Sequence, residues 1–201
     1  MSRATAILLW LALATAVSIP IAVAALSPLL AWRDPIYIAA GFAGVIAMTM
    51  LLIQPLLAGG YLPGLSARYG RRVHGIVGAA LVGAVVVHVA GLWITSPPDV
   101  VDALLFASPT PFSAWGVIGM WAVFAAALIA VFRRRLRPRL WRIAHTTLVT
   151  IIVAASVVHA MLIEGTMGLV SKSVLCALAL AATAKVIADL RVWRMLLRRR
   201  A

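Results

Sequence analysis

Six runs of about twenty apolar residues, joined by connections of no more than about sixteen, leave this chain little freedom of fold. They cover roughly residues 5–31, 36–58, 73–95, 112–132, 143–163 and 170–193. In hydrocarbon a segment of this length satisfies its own backbone only as a helix, so the expectation is an all-α, polytopic bundle of six membrane-spanning helices. The 64% apolar and 11% charged composition is far from that of a soluble domain. Residues 1–201 read as one domain, because the longest connection, about 96–111, is too short to hold a nucleotide- or flavin-binding module of roughly a hundred residues.

A net charge of +13 raises the question of nucleic acid, but the distribution of the charges argues against it. Arg3, Arg68, Arg71, Arg72, the run Arg133, Arg134, Arg135, Arg137, Arg139, Arg142, and the tail Arg191, Arg194, Arg198, Arg199, Arg200 all fall on one side of a six-span topology. Arg33 and Lys172 fall opposite, with Asp34, Asp99, Asp102 and Glu164. The excess of arginine marks the cytoplasmic side and places both termini there, with membrane lipid as the surrounding partner. The first run continues past the small residues around Ala22–Ser27 and is long enough to span, so it is expected to be retained as a helix, kinked or shortened by Pro20 and Pro28. Cys176, the single cysteine, reads as a small packing residue.

All four histidines lie in two of these runs, at one spacing: His74 with His88 in the third and His145 with His159 in the fifth. Fourteen residues of helix rise about 21 Å and turn about 1400°, some 40° short of four turns, so both imidazoles of a run point to much the same side. One span intervenes, which makes the third and fifth runs parallel and pairs His74 with His145 at one depth and His88 with His159 at the other. Zinc or copper sites gather three or four donors at a point, whereas each depth here offers two histidines and no carboxylate or thiolate. Two nitrogen donors per level suit the axial positions of two stacked haems. Arg71, Arg72 and Arg142 stand near the inner level, each read first as a positive-inside anchor and second as a donor for haem propionates, while the outer level has Lys172 as its one nearby cation and would otherwise rely on hydroxyls, backbone or water. Gly75, Gly78, Gly83 and Gly91 permit close approach of either another helix or a flat cofactor. Trp141 and Trp93 read as interfacial anchors, and Phe124 falls at mid-span in the fourth run, between the two levels.

The motifs Arg71-Arg72-Val73-His74-Gly75 running on to His88, and Arg139-Leu140-Trp141-Arg142-Ile143-Ala144-His145 running on to His159, resemble those of the ferric reductase-like transmembrane domain family over most of the chain. That family includes ferric reductases, NADPH oxidases and stand-alone MsrQ-type subunits. The resemblance implies haem b held by His74, His88, His145 and His159, a bacterial inner-membrane location, and electron supply by a separate cytoplasmic flavin reductase. The outer-side acceptor it implies is ferric iron, oxygen or a periplasmic oxidoreductase such as a methionine sulfoxide reductase. Keeping a histidine at position 74 is a departure from some MsrQ-type proteins, and it leaves the acceptor open.

The expected function is that of a dihaem b-type cytochrome, the transmembrane electron-transfer component of an oxidoreductase, with the connection Thr95–Pro111 as its docking surface for the acceptor. Within that connection, residues 100–107 are too short to span and are expected to lie along the outer surface. A quinol-linked cytochrome b is the second reading. A non-catalytic scaffold or metal-ion carrier is the reading from another class, and it leaves the duplicated spacing without a cause.

Overall fold

The computed structural model describes residues 2–190. Seven α-helices follow in order: α1 (Arg3–Ala25), α2 (Pro35–Ala58), α3 (Ala67–Thr95), the short α4 (Pro97–Leu104), α5 (Pro111–Val131), α6 (Pro138–Leu162) and α7 (Leu169–Asp189). All except α4 are long and apolar enough to cross a membrane. The expected six-span, all-helical bundle is therefore what forms, and the outermost arginines of the tail, Arg191, Arg194 and Arg198–Arg200, lie outside the described residues together with the end of the sixth run.

Helix starts are set by capping chemistry that an apolar run does not reveal. The Asp34 carboxylate accepts from the Ile36 and Tyr37 amides at 2.7 and 3.4 Å, ahead of Pro35 at the first helical position. Ser66 caps α3 through the Tyr69 amide at 3.3 Å, so this helix begins six residues before the apolar run and takes Arg68, Arg71 and Arg72 into its first turns. Pro138 stands at the start of α6 and opens it five residues before the fifth apolar run begins. α1 ends at Ala25, short of the expected Ala31, because Ser27 and Pro28 begin a separate 3-10 turn over Pro28–Leu30. The positive φ of 64° at Trp32 then turns the chain toward α2.

α2 and α3 form one tightly packed pair and α5 and α6 another, with α7 lying against both α2 and α6. Met48, Leu51 and Leu52 of α2, Leu81 of α3, Val123 and Ala126 of α5, Ile152 of α6, and Leu175 and Ala179 of α7 make the shared core. α1 sits at the margin against α2 and α7, and presents Leu8, Trp10 and Leu11 outward, as a lipid-facing helix does. α3 and α6 face one another across a looser seam.

Two polar ties hold the ends. Lys172, only 6% exposed, donates to the Ile163 carbonyl at 2.6 Å and the Met161 carbonyl at 3.5 Å, satisfying acceptors that the end of α6 leaves without helical partners. At the arginine-rich end, the Tyr61 hydroxyl donates to Asp189, which also pairs with Lys185 at 2.9 Å, so the α2–α3 connection is tied to the last turn of α7. Burial, reinforced by the hydrogen bond and negative charge of Asp189, pushes the Tyr61 hydroxyl up to about 12.

Candidate functional site

The seam between α3 and α6 holds all four histidines. His74 and His145 have ring centroids 6.4 Å apart with planes at 75°, near the arginine-rich end. His88 and His159 stand 6.5 Å apart at 82°, near the opposite end. The pairing expected from the spacing is the one the fold makes. At about 1.5 Å per residue the two levels lie roughly 21 Å apart along the helices.

Second partners orient three of the four rings. The Nδ1–H of His88 donates to the Ala40 carbonyl of α2 at 2.8 Å, that of His159 to the Phe112 carbonyl of α5 at 2.8 Å, and that of His74 to the Gln54 carbonyl of α2 at 3.2 Å. A carbonyl only accepts, so each of these rings carries its proton on Nδ1 and keeps the Nε2 lone pair for a ligand. Gln54 closes on His74 twice, since its side-chain Nε2 also donates to the His74 carbonyl at 3.3 Å. His145 differs: its Nδ1 is buried without a partner, and the Trp141 ring stacks on it at 4.7 Å with planes at 24°.

Two glycines allow the rings of the opposite-end level to press against neighbouring backbone. A Cβ on Gly116 of α5 would lie 2.7 Å from the His159 ring, and one on Gly44 of α2 would lie 3.0 Å from the His88 ring. Neither glycine, nor any of the three carbonyls, was marked out by the sequence. Gln54, the lone amide in the second apolar run, was the one visible signal. Of the glycines expected to allow close approach, Gly91 and Gly78 face Ala40 and Gln54 of α2 and serve helix packing, whereas a Cβ on Gly75 or Gly83 would meet open space.

Arg71, Arg72 and Arg142 are exposed and lie within one turn of His74 and His145 in their helices. Lys172 is engaged by the carbonyls of α6, so its ammonium is committed to the end of the helix that carries His159. Trp93 is 45% exposed at the opposite end of α3, as an interfacial side chain would be. Phe124 packs partly buried against the core, edge-on to Trp121 at 5.9 Å. Residues 97–104 of the 96–111 connection form α4, and Leu105 and Phe106 after it are exposed.

Among the described residues no three His, Cys, Asp or Glu side chains gather into one metal-binding group. Each level instead offers two opposed imidazoles. Metal–nitrogen bonds of about 2 Å on opposite sides of one ion would put two imidazole centres roughly 6.3 Å apart, close to both observed separations. The chemistry on offer is thus a pair of nitrogen donors, repeated at two depths. No family model, curated protein or solved structure matches this chain.

Proposed function

We propose that the chain is a dihaem b-type membrane cytochrome that carries electrons from a cytoplasmic flavin reductase to an acceptor on the outer side, either ferric iron or a periplasmic oxidoreductase. The observation that carries this reading is the duplicated pair of opposed imidazoles at 6.4 and 6.5 Å, three of them with Nδ1 committed to a carbonyl and Nε2 left for a metal. His74 and His145 hold the inner haem, His88 and His159 the outer one. When bound, each group would supply reversible one-electron chemistry.

The chain's own part is to bind, orient and insulate. Carbonyls of α2 and α5 fix the ring planes, the core beneath the seam excludes water, and Arg71, Arg72 and Arg142 offer guanidinium donors to the inner propionates. With two imidazoles committed at each level, the residues would favour electron passage over substrate chemistry at the metal. The arginine excess at one end supports a bacterial inner-membrane orientation with that end in the cytoplasm. α4, with exposed Leu105 and Phe106, is the surface proposed to meet the acceptor.

A dithionite-reduced optical spectrum with a haem count tests cofactor and stoichiometry together. Two low-spin b-type haems per chain are expected, falling to one in His74→Ala or His145→Ala. A purified protein that is colourless, or a His145→Ala protein that retains two haems, would overturn the reading.

A further inference from the structure

The two levels hold their ligands by different means. His88, His159 and His74 each have the distal ring nitrogen tied to a backbone carbonyl of a neighbouring helix, and the first two are also seated against the close backbone at Gly44 and Gly116. His145 has neither device. Its Nδ1 is buried without an acceptor, and no glycine of the chain seats its ring. A buried, unpaired donor is destabilising, and the ring relieves this by turning toward any acceptor it can reach. What opposes that rotation is Trp141, one turn earlier on α6, whose indole is half-buried and lies nearly parallel to the imidazole at 4.7 Å.

Resting on the dihaem reading, we propose that Trp141 is the positioning residue of the inner level. Its stacked ring supplies the orientation that carbonyls supply to the other three histidines, so His145 is the one ligand of the four that is set loose when that ring is removed. In a chain without that ring, the position of His145 would be open to a small neutral π-acceptor of the size of carbon monoxide. His145 keeps its proton, so the exchange is balanced by one neutral donor replacing another.

The test uses the purified full-length protein, reduced with dithionite and titrated with carbon monoxide while the low-spin spectrum and haem content are followed. In the parent, two low-spin haems are expected, neither reactive toward carbon monoxide. In Trp141→Leu, reactive haem rises from none to one of two, or that one haem is lost, while the other stays low-spin. Trp141→Phe restores the parent behaviour, because a smaller ring still stacks. Trp93→Leu, which removes an exposed interfacial indole at the other end, leaves both haems unreactive and separates loss of the stack from loss of a membrane anchor. The inference is overturned by a Trp141→Leu protein with two unreactive low-spin haems, by loss of both haems together, or by a Trp141→Phe protein as damaged as the leucine variant. A parent without two low-spin haems removes the dihaem reading itself, a failure read before any variant is made.

Discussion

The two histidine levels have the same ligand pair, nearly the same separation and nearly the same crossing of ring planes, yet they are braced differently. At the level of His88 and His159 both rings donate at 2.8 Å to carbonyls of α2 and α5 and press on glycines of those helices, so four helices share the task of orientation. At the level nearer the arginine-rich end His74 has a longer bond, 3.2 Å, to Gln54, and His145 relies on a stacking partner in its own helix. Ligand type is set by one residue per position, but rigidity is set by what stands behind it, and that can differ between two sites of identical composition.

On the proposed dihaem reading, in which the arginine-rich end is the inner one, the largest effects come from removing a histidine. His159→Ala and His145→Ala are each expected to lower haem content from two to one per chain, and a variant that lost both would show the levels to be one cooperative site. Next is Gly116→Ala, whose new methyl would meet the His159 ring at 2.7 Å. It should displace that ring, empty the outer level and spare the inner one, while Gly83→Ala, with nothing within 4 Å, leaves haem content unchanged. Equal haem loss in the two glycine variants would remove the backbone seat from the comparison.

Lys172→Met tests the brace behind His159 from further off. Stranding the Met161 and Ile163 carbonyls should cost about 1–3 kcal/mol and lower the temperature at which the outer haem is released, with the inner one less affected. The smallest effect is expected for Tyr61→Phe at the arginine-rich end. The Tyr61 hydroxyl is raised from its usual 10.0 to about 12 in the fold, so its contribution is complete below about pH 10 and is lost as the pH rises through 12. Thermal melts across that range should fall for the parent and stay flatter for the phenylalanine variant.

Much of this was legible in the sequence because it depends on length and period. Six apolar runs gave six helices, and a fourteen-residue spacing repeated in two parallel helices was enough to pair His74 with His145 and His88 with His159. The ends of the helices were not legible from apolarity, since Ser66, Ser27 and Pro138 act through capping and backbone geometry. The bracing of the rings was hidden for a different reason. Every residue carries a carbonyl, so nothing in the letters distinguishes Ala40 or Phe112 from its neighbours until helix rotation decides which oxygen meets an imidazole. Trp141 read as a membrane anchor because tryptophan near a helix end commonly is one, and only the ring planes reveal that it lies on His145. Lys172 likewise read as a free outer cation, where three-dimensional packing commits it to the end of α6.

Pro138 opens α6 seven residues before His145, and no break in the helix intervenes before His159. Both ligands of that helix are therefore phased from a single origin. One residue inserted between 138 and 145 would swing both imidazoles by about 100° and slide them by about 1.5 Å, disabling both levels in one event. The same insertion at 132–137 would merely lengthen a turn. Across evolution or engineering, the connections of this molecule can vary in length, whereas the stretch from 138 to 159 does not tolerate a change in count.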